Sequence, residues 1–509
     1  MSSFRKWFIQ RFSPLQQLLI LGGAVRLLSV IFSKGFGWHD DHFLIIESSQ
    51  SWVDGYDYND WLPSPDAPDR QPQGHSLFYP GIHYFIFLFM KWIGFNDPQV
   101  KMTFIRLLHA LWSMLIITYG YRIAENYGGK KAAWYAGIFL ALFWFMPFVS
   151  VRNLVEFVLL PPVFIAIYLL QTQKRGWRDF LFAGLWLGIA FSIRFQTAFL
   201  VIGIGIALLI ARTSFKNILS FAFTFLVMVF LTQGVVDMII WKRPFAEFMG
   251  YVQYNLDNAT AYGHDVWHMY LDLILGLLIP PLSILLFAGY FVAWKRTALI
   301  FWPVFIYLAF HTYFPNKQER FVLSIVPLLL VSGTVGMFMI YERYKQYVPR
   351  RLFVISRAFV VGLNLILLPL LSVSYSKRHR VEAMYYLYQK GNVNNFFMED
   401  SNKEDDFLLP PRFYFGKWIP LVGISKKYTP DNALDYYRSL KPEQRPKYFV
   451  FWQAENIHAR VDSLRKRFPG LTYEATINPS LIDQTLYFLN PLNDNQTSYI
   501  YRLDKWPEP

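Results

Sequence analysis

The chain has 509 residues, of which 54% are hydrophobic, 19% aromatic and 17% charged, with a formal net charge of +14 and no cysteine. A water-soluble chain carries nearer a quarter charged residues, and apolar runs of roughly 14–23 residues recur through the first three quarters, so a polytopic α-helical membrane protein is expected. The missing cysteine excludes disulfides, thiolate nucleophiles and cysteine metal sites.

The first apolar run, Leu15–Phe32, follows Arg5, Lys6 and Arg11 and has no small-residue cleavage site, so it reads as a retained helix with a cytoplasmic start. The further expected spans are Phe104–Tyr121, Ala132–Phe148, Phe157–Leu170, Phe180–Ile193, Ala198–Ile210, Ile218–Ile240, Leu271–Val292, Ala298–Phe310, Phe321–Ile340 and Phe353–Leu371. With about 11 crossings, the basic loops Lys130-Lys131, Lys174 to Arg178, Arg212 to Lys216, Lys295-Arg296 and Arg343 to Arg351 all fall on the inner side. That placement accounts for the positive charge without nucleic acid, since no basic face of a soluble domain is visible. The apolar stretch Leu77–Ile93 is read as a helix at the outer interface, inside a first outer loop of residues 33–103.

Residues 1–373 then form a membrane domain, and residues 374–509 a soluble α/β domain outside. In the latter, Tyr448–Trp452 reads as a buried strand, Asn456–Phe468 as a helix and Gln484–Phe488 as another strand. An outer domain without disulfides favours a bacterial inner membrane over the endoplasmic reticulum.

The polar residues that can carry chemistry gather on the expected outer side. His39, Asp40, Asp41, His42 and Glu47 directly follow the first span. A later loop holds Asn255, Tyr262, His264, Trp267 and His268, and another holds Lys317, Glu319 and Arg320. Arg152, Asn153, Glu156 and Arg194 stand at outer helix ends. A carboxylate can take the proton of an attacking hydroxyl, while guanidinium and imidazole groups stabilise a leaving phosphate. Plainer readings remain open. The two aspartates suit a helix N-cap, Arg320 a snorkelling helix end, Glu156 and Arg194 a structural pair, and Trp267 an interface anchor. His264 and His268, four apart, suit a metal only with a third ligand, and none is evident nearby.

The pattern resembles the α-mannosyltransferases of glycosyltransferase family 22, which add mannose to GPI anchors and dolichol-linked glycans. The segment WHDDHFLIIE is similar to the family's H-P-D-E and later Glu, with Asp40 on its Asp, Asp41 on its Glu and Glu47 on the later acid. HSLFYPGI, NLVE, SIRFQTAFLV and NKQERFVLSIVP resemble further motifs, which contain Glu156, Arg194, Lys317, Glu319 and Arg320. The stretch from Val235 to Leu271 resembles another, with Asp237, Asn255, Tyr262, Gly263, His264, Trp267 and His268 in place. Trp38, His39, His75 and Asn316 depart from the family pattern, and Asp41 is shorter than its Glu.

The resemblance covers about residues 15–345. It implies a GT-C glycosyltransferase fold, a polyprenyl-phosphate sugar donor, and inverting hexosyl transfer to a glycan, glycolipid or glycoprotein. It implies no essential metal and no cofactor. It makes Asp40 the general base with Asp41 in support, and puts Arg320, Lys317, His264, Arg194 and His268 around the donor phosphate. His39, His42, Glu47, Asn255, Tyr262, Trp267 and Glu319 would serve the acceptor or support the site. A transporter or flippase of a lipid-linked saccharide is the alternative. It fits less well, because the charges sit at span ends rather than at mid-membrane.

Overall fold

The computed structural model describes all residues except 1–9, 172–175, 261–265, 348, 403–407, 426–429, 492, 494–495 and 508–509. Contacts divide the chain into two compact units. The first comprises Met1–Val30, Asp60–Ile82 and Ile105–Ser372; the second comprises Ile31–Asn59, His83–Phe104 and Val373–Pro509.

Helix occupies each of the eleven expected segments. Among the described residues, five helices are long and apolar enough to cross a bilayer unaided: Pro14–Phe32, Pro98–Leu142, Phe215–Trp241, Val326–Tyr344 and Arg350–Ser372. Pro98–Leu142 carries two of the expected spans, because Gly129 (φ 75°, ψ −176°) breaks it beside Lys130-Lys131. Val155–Gln171, Thr197–Ile210 and Ala298–Tyr313 are shorter apolar helices.

The expected span Leu271–Val292 is not one rod. Met269–Leu277 and Leu282–Val292 meet at 116°. Between them stand Pro280 and Pro281, which donate no backbone hydrogen bond, and Ile279 at φ 59°. Within the first unit, Leu282–Val292 packs on Val326–Tyr344 through glycine. A Cβ built on Gly336 would lie 1.8 Å from the carbonyl oxygen of Gly289. Such small-residue contacts let apolar helices pack without a hydrophobic driving force. Phe78–Trp92 is a 15-residue helix, about 22 Å long by its rise per residue. Its Phe85, Phe89 and Trp92 are exposed, and Phe87 and Met90 are buried.

The second unit contains a five-stranded mixed sheet in the order β2-β1-β3-β5-β4. Its strands are β1 Phe396–Glu399, β2 Gly423–Ile424, β3 Tyr448–Trp452, β4 Leu471–Ile477 and β5 Ser498–Leu503. β1 runs parallel to both β2 and β3, and β5 runs antiparallel to β3 and β4. The expected strand at 448–452 is the fully buried β3, and the expected helix is Ile457–Arg465. Gln484–Phe488 is not a strand: it lies inside the helix Leu481–Leu489. The reason is local. Ser480 accepts from the Asp483 N–H, and Asp483 reaches back to the Ser480 N–H, so a capping box starts a helix there.

Candidate active site

In the first unit, three residues from separate stretches meet at one carboxylate. Glu156 lies in the short helix Val155–Val158 and is fully buried. Arg194 ends the helix Trp177–Ile193 in extended conformation. Arg320 sits in the 3-10 turn Glu319–Ser324, which leads into Val326–Tyr344. An Arg194 Nη2 stands 3.2 Å from Glu156 Oε1, and Arg320 Nε stands 3.6 Å from the same oxygen. Both guanidinium groups face the ring of Phe321, at 5.4 and 5.9 Å. Gln196 and Gln318 accept from their Nε atoms at 3.2 and 2.9 Å, which fixes the two planes.

Among the described residues, this cluster brings two cations to one anion. A surplus charge with little access to water is costly unless an anion shares it, and guanidinium matches phosphate oxygens well. Tyr251, on Ala246–Asp257, feels the charges of all three residues, and burial raises its phenol above the usual range.

The other expected residues of this unit make the contacts given next or lie outside what is described. Lys317 Nζ donates to the Phe314 carbonyl at 3.1 Å, and Glu319 is exposed. His268 is half exposed, with Nδ1 2.5 Å from Asp272, and Trp267 beside it is exposed. Asn255 donates to the Tyr251 carbonyl within its own helix. Tyr262 and His264 lie outside the described residues.

In the second unit the paired aspartates open a π-helical turn, Asp41–Glu47, which continues into Ser48–Val53. Asp40 occupies the N-cap position without a side-chain capping bond. It is half-buried, and Asp41 is buried. In a π-helix the residue at i+5 stacks above i, so His42 and Glu47 share a face. His42 Nε2 is 3.4 Å from Glu47 Oε1, and both side chains are fully buried. The same carboxylate oxygen accepts the N–H of Phe413 at 3.1 Å. The imidazole lies between Phe36 at 4.4 Å and Tyr414 at 5.5 Å, nearly parallel to both. Burial lowers its pKa despite the carboxylate. His42 and Glu47 therefore brace the turn that presents Asp40 and Asp41.

His39 stacks on Phe43 at 4.3 Å. Desolvation first, then the charges of Arg380 and Lys377, lower its pKa to about 4. Those two cations were not anticipated. Lys377 lies 4.6 Å and Arg380 5.3 Å from the Phe36 ring centroid. The run Lys377-Arg378-His379-Arg380 directly follows the last expected span, where the expected topology calls for few basic residues. That was the signal for them.

Residues 17–404 match the Alg9-like mannosyltransferase family. The chain belongs to that family. A curated relative, mannosyltransferase APTG1 of Arabidopsis thaliana, is 22% identical over 324 residues, covering 60% of this chain and 56% of its own length. The match thus spans little more than half of that relative. Two crystal structures of ArnT from Cupriavidus metallidurans, each 12% identical, share the architecture of this family member. The structure bound to undecaprenyl phosphate has a TM-score of 0.57 and covers 97% of this chain and 98% of its own. The apo structure has a TM-score of 0.55 with full coverage of both chains. The Alg9-like chain is accordingly a polytopic helical membrane protein of GT-C fold with a C-terminal mixed-sheet region.

Proposed function

We propose that this chain transfers a mannosyl residue from a polyprenyl-phosphate donor to a hydroxyl of a glycan, glycolipid or glycoprotein. The observation that supports it best is the buried cluster of Glu156, Arg194 and Arg320. Three motifs that resemble the family at separate places in sequence supply one cation-rich site, suited to a phosphate.

In this reading Asp40 accepts the proton of the acceptor hydroxyl as its oxygen attacks the anomeric carbon. The bond from that carbon to the donor phosphate breaks on the opposite face, so the configuration inverts. The phosphate leaves with the electron pair, and Arg320 and Arg194 stabilise its growing charge. Asp41 supports Asp40, and His42 and Glu47 hold the turn. Lys317, His264 and His268 add positive or donor groups on the phosphate side. His39, Asn255, Tyr262, Trp267 and Glu319 serve the acceptor or support the site. No resident cofactor or metal takes part. The chemistry faces away from the cytoplasm, with the N-terminus inside and residues 374–509 outside, in a bacterial inner membrane or, failing that, the endoplasmic reticulum.

The test is Asp40→Asn in purified protein supplied with polyprenyl-phosphomannose. Transfer falls by about 10²- to 10⁴-fold, with unchanged melting and with activity of the unaltered protein indifferent to chelator. Wild-type rates in Asp40→Asn would remove Asp40 from the role of base. Movement of a lipid-linked saccharide across vesicles without bond exchange would replace transfer by transport.

A further inference from the structure

A cavity of about 230 Å³ lies within the second unit, lined in part by Gln50, Asp54, Lys101, Tyr388, Phe413 and Trp418. Its polar groups are fixed in place. Asp54 Oδ2 accepts from the indole Nε1 of Trp418 at 2.9 Å and from Gln50 Nε2 at 3.1 Å. Lys91 Nζ stands 3.4 Å from the other carboxylate oxygen. Tyr56 lies nearly parallel to the indole at 6.3 Å and the Arg412 guanidinium stands 5.9 Å from it, so the ring of Trp418 is set in place from its surroundings as well as through Asp54.

Lys101 is 6% exposed, and its hydrogen bond goes to Gln50 Oε1 at 2.9 Å. An ammonium group has three donors, so donors remain for whatever fills the cavity. The volume exceeds the roughly 150 Å³ that holds a benzene ring and falls short of the roughly 300–1,000 Å³ of drug-sized pockets. It suits one six-membered ring.

The chemistry narrows the occupant. An apolar ring would leave the Lys101 donors buried and unpaired, which is costly. An anion would lie against Asp54, and a cation against Lys101 and Lys91. A neutral sugar meets each demand: its hydroxyls donate to a carboxylate and accept from an ammonium, and its C–H face stacks on an indole. Asp40 does not line the cavity, so a sugar bound there is not the one whose hydroxyl is deprotonated.

We propose that this cavity binds one neutral hexose unit of the acceptor glycan, separate from the unit that receives the transferred sugar. The word acceptor rests on the transfer reading above; the sugar site itself does not.

The experiment is saturation-transfer NMR on the full-length protein in detergent, without donor, using methyl α-mannopyranoside and methyl α-glucopyranoside at millimolar concentration. Transfer to at least one sugar is expected in the unaltered protein and in Asp40→Asn, and its loss in Trp418→Ala and Asp54→Asn. Trp418→Phe, which keeps an aromatic face, should restore part of it and guards against a folding defect. In turnover, Trp418→Ala should raise the acceptor KM by about tenfold or more, as loss of an aromatic anchor does, with a smaller change in kcat. Equal saturation transfer in all variants, no transfer to either sugar in the unaltered protein, or displacement by inorganic phosphate would overturn the proposal. Because the readout needs no catalysis, failure of the transfer reading leaves the sugar-binding result standing.

Discussion

Among the described residues, Glu156 in the first unit and Glu47 in the second have no exposed surface, and the two are held in different ways. Glu156 faces two guanidinium groups, so among the described residues the charge around it is positive. Glu47 is met by an imidazole held neutral by burial and by one backbone N–H, with the charges of Arg380 and Lys377 acting on that same imidazole. A buried carboxylate is costly alone. The second arrangement meets that cost through a neutral ring and a backbone donor, as a brace does. The first meets it with two guanidinium groups at once, which on the proposed reading also serve an anionic substrate.

The largest effect should come from breaking the first arrangement. Glu156→Gln leaves two guanidinium groups without their anion and should cost about 3 kcal/mol or more of stability, read as a fall in melting temperature in detergent. Arg320→Met should behave differently. It leaves Glu156 with the closer partner Arg194, so melting falls less, while transfer falls by about 10²-fold or more through the lost phosphate contact. If Arg320→Met melts as low as Glu156→Gln and the folded fraction keeps its rate, the surplus cation is structural and the contrast collapses.

The second arrangement should yield less. His42→Phe keeps a ring between Phe36 and Tyr414 but takes the nitrogen from beside Glu47. The expected loss is about 1–3 kcal/mol, the cost of a buried polar group deprived of its partner. Transfer should fall only through the loosened turn. A catalytic loss as large as that of Asp40→Asn, at unchanged melting, would move His42 from brace to reacting group.

The sequence makes the two arrangements legible to different degrees. Glu156, Arg194 and Arg320 were each visible, because each sits in a motif that resembles the family. What no motif states is that both arginines reach the same oxygen, since that depends on how three helix ends pack. The pairing of His42 with Glu47 is not legible in sequence, because in an ordinary helix positions five apart do not stack; the π turn brings them together. Arg380 and Lys377 belong to no motif, and their approach to Phe36 is a tertiary contact. The helix at Leu481–Leu489 was misread because Thr, Tyr and Phe in a short apolar run look strand-like. The Ser480–Asp483 capping box, which decides it, was present in the sequence.

The smallest effect, and the one that compares both units in a single measurement, is the dependence of stability on pH. In the second unit His39 is lowered from 6.5 to about 4, first by desolvation, and His42 is lowered for the same first reason. The unfolded chain then takes up protons near 6.5 that the folded chain refuses, so stability is lost as pH falls from about 6.5 towards about 4. In the first unit Glu247 is raised from 4.5 to about 7 by burial. Its Oε2 accepts the N–H groups of Gly74 and His75 at 2.8 and 3.0 Å, and Trp241 donates to Oε1, all of which oppose the rise without cancelling it. Here the folded chain keeps a proton that the unfolded chain releases. That contribution is complete below about 4.5 and is lost as pH rises through about 7. Between about pH 4.5 and 6.5 the two contributions therefore oppose each other in the melting temperature. His42→Phe should tilt that dependence towards a fall with rising pH, and Glu247→Gln towards a rise. If His42→Phe leaves the dependence on pH unchanged, the imidazole is not held neutral, and the contrast between the two carboxylates loses its second half.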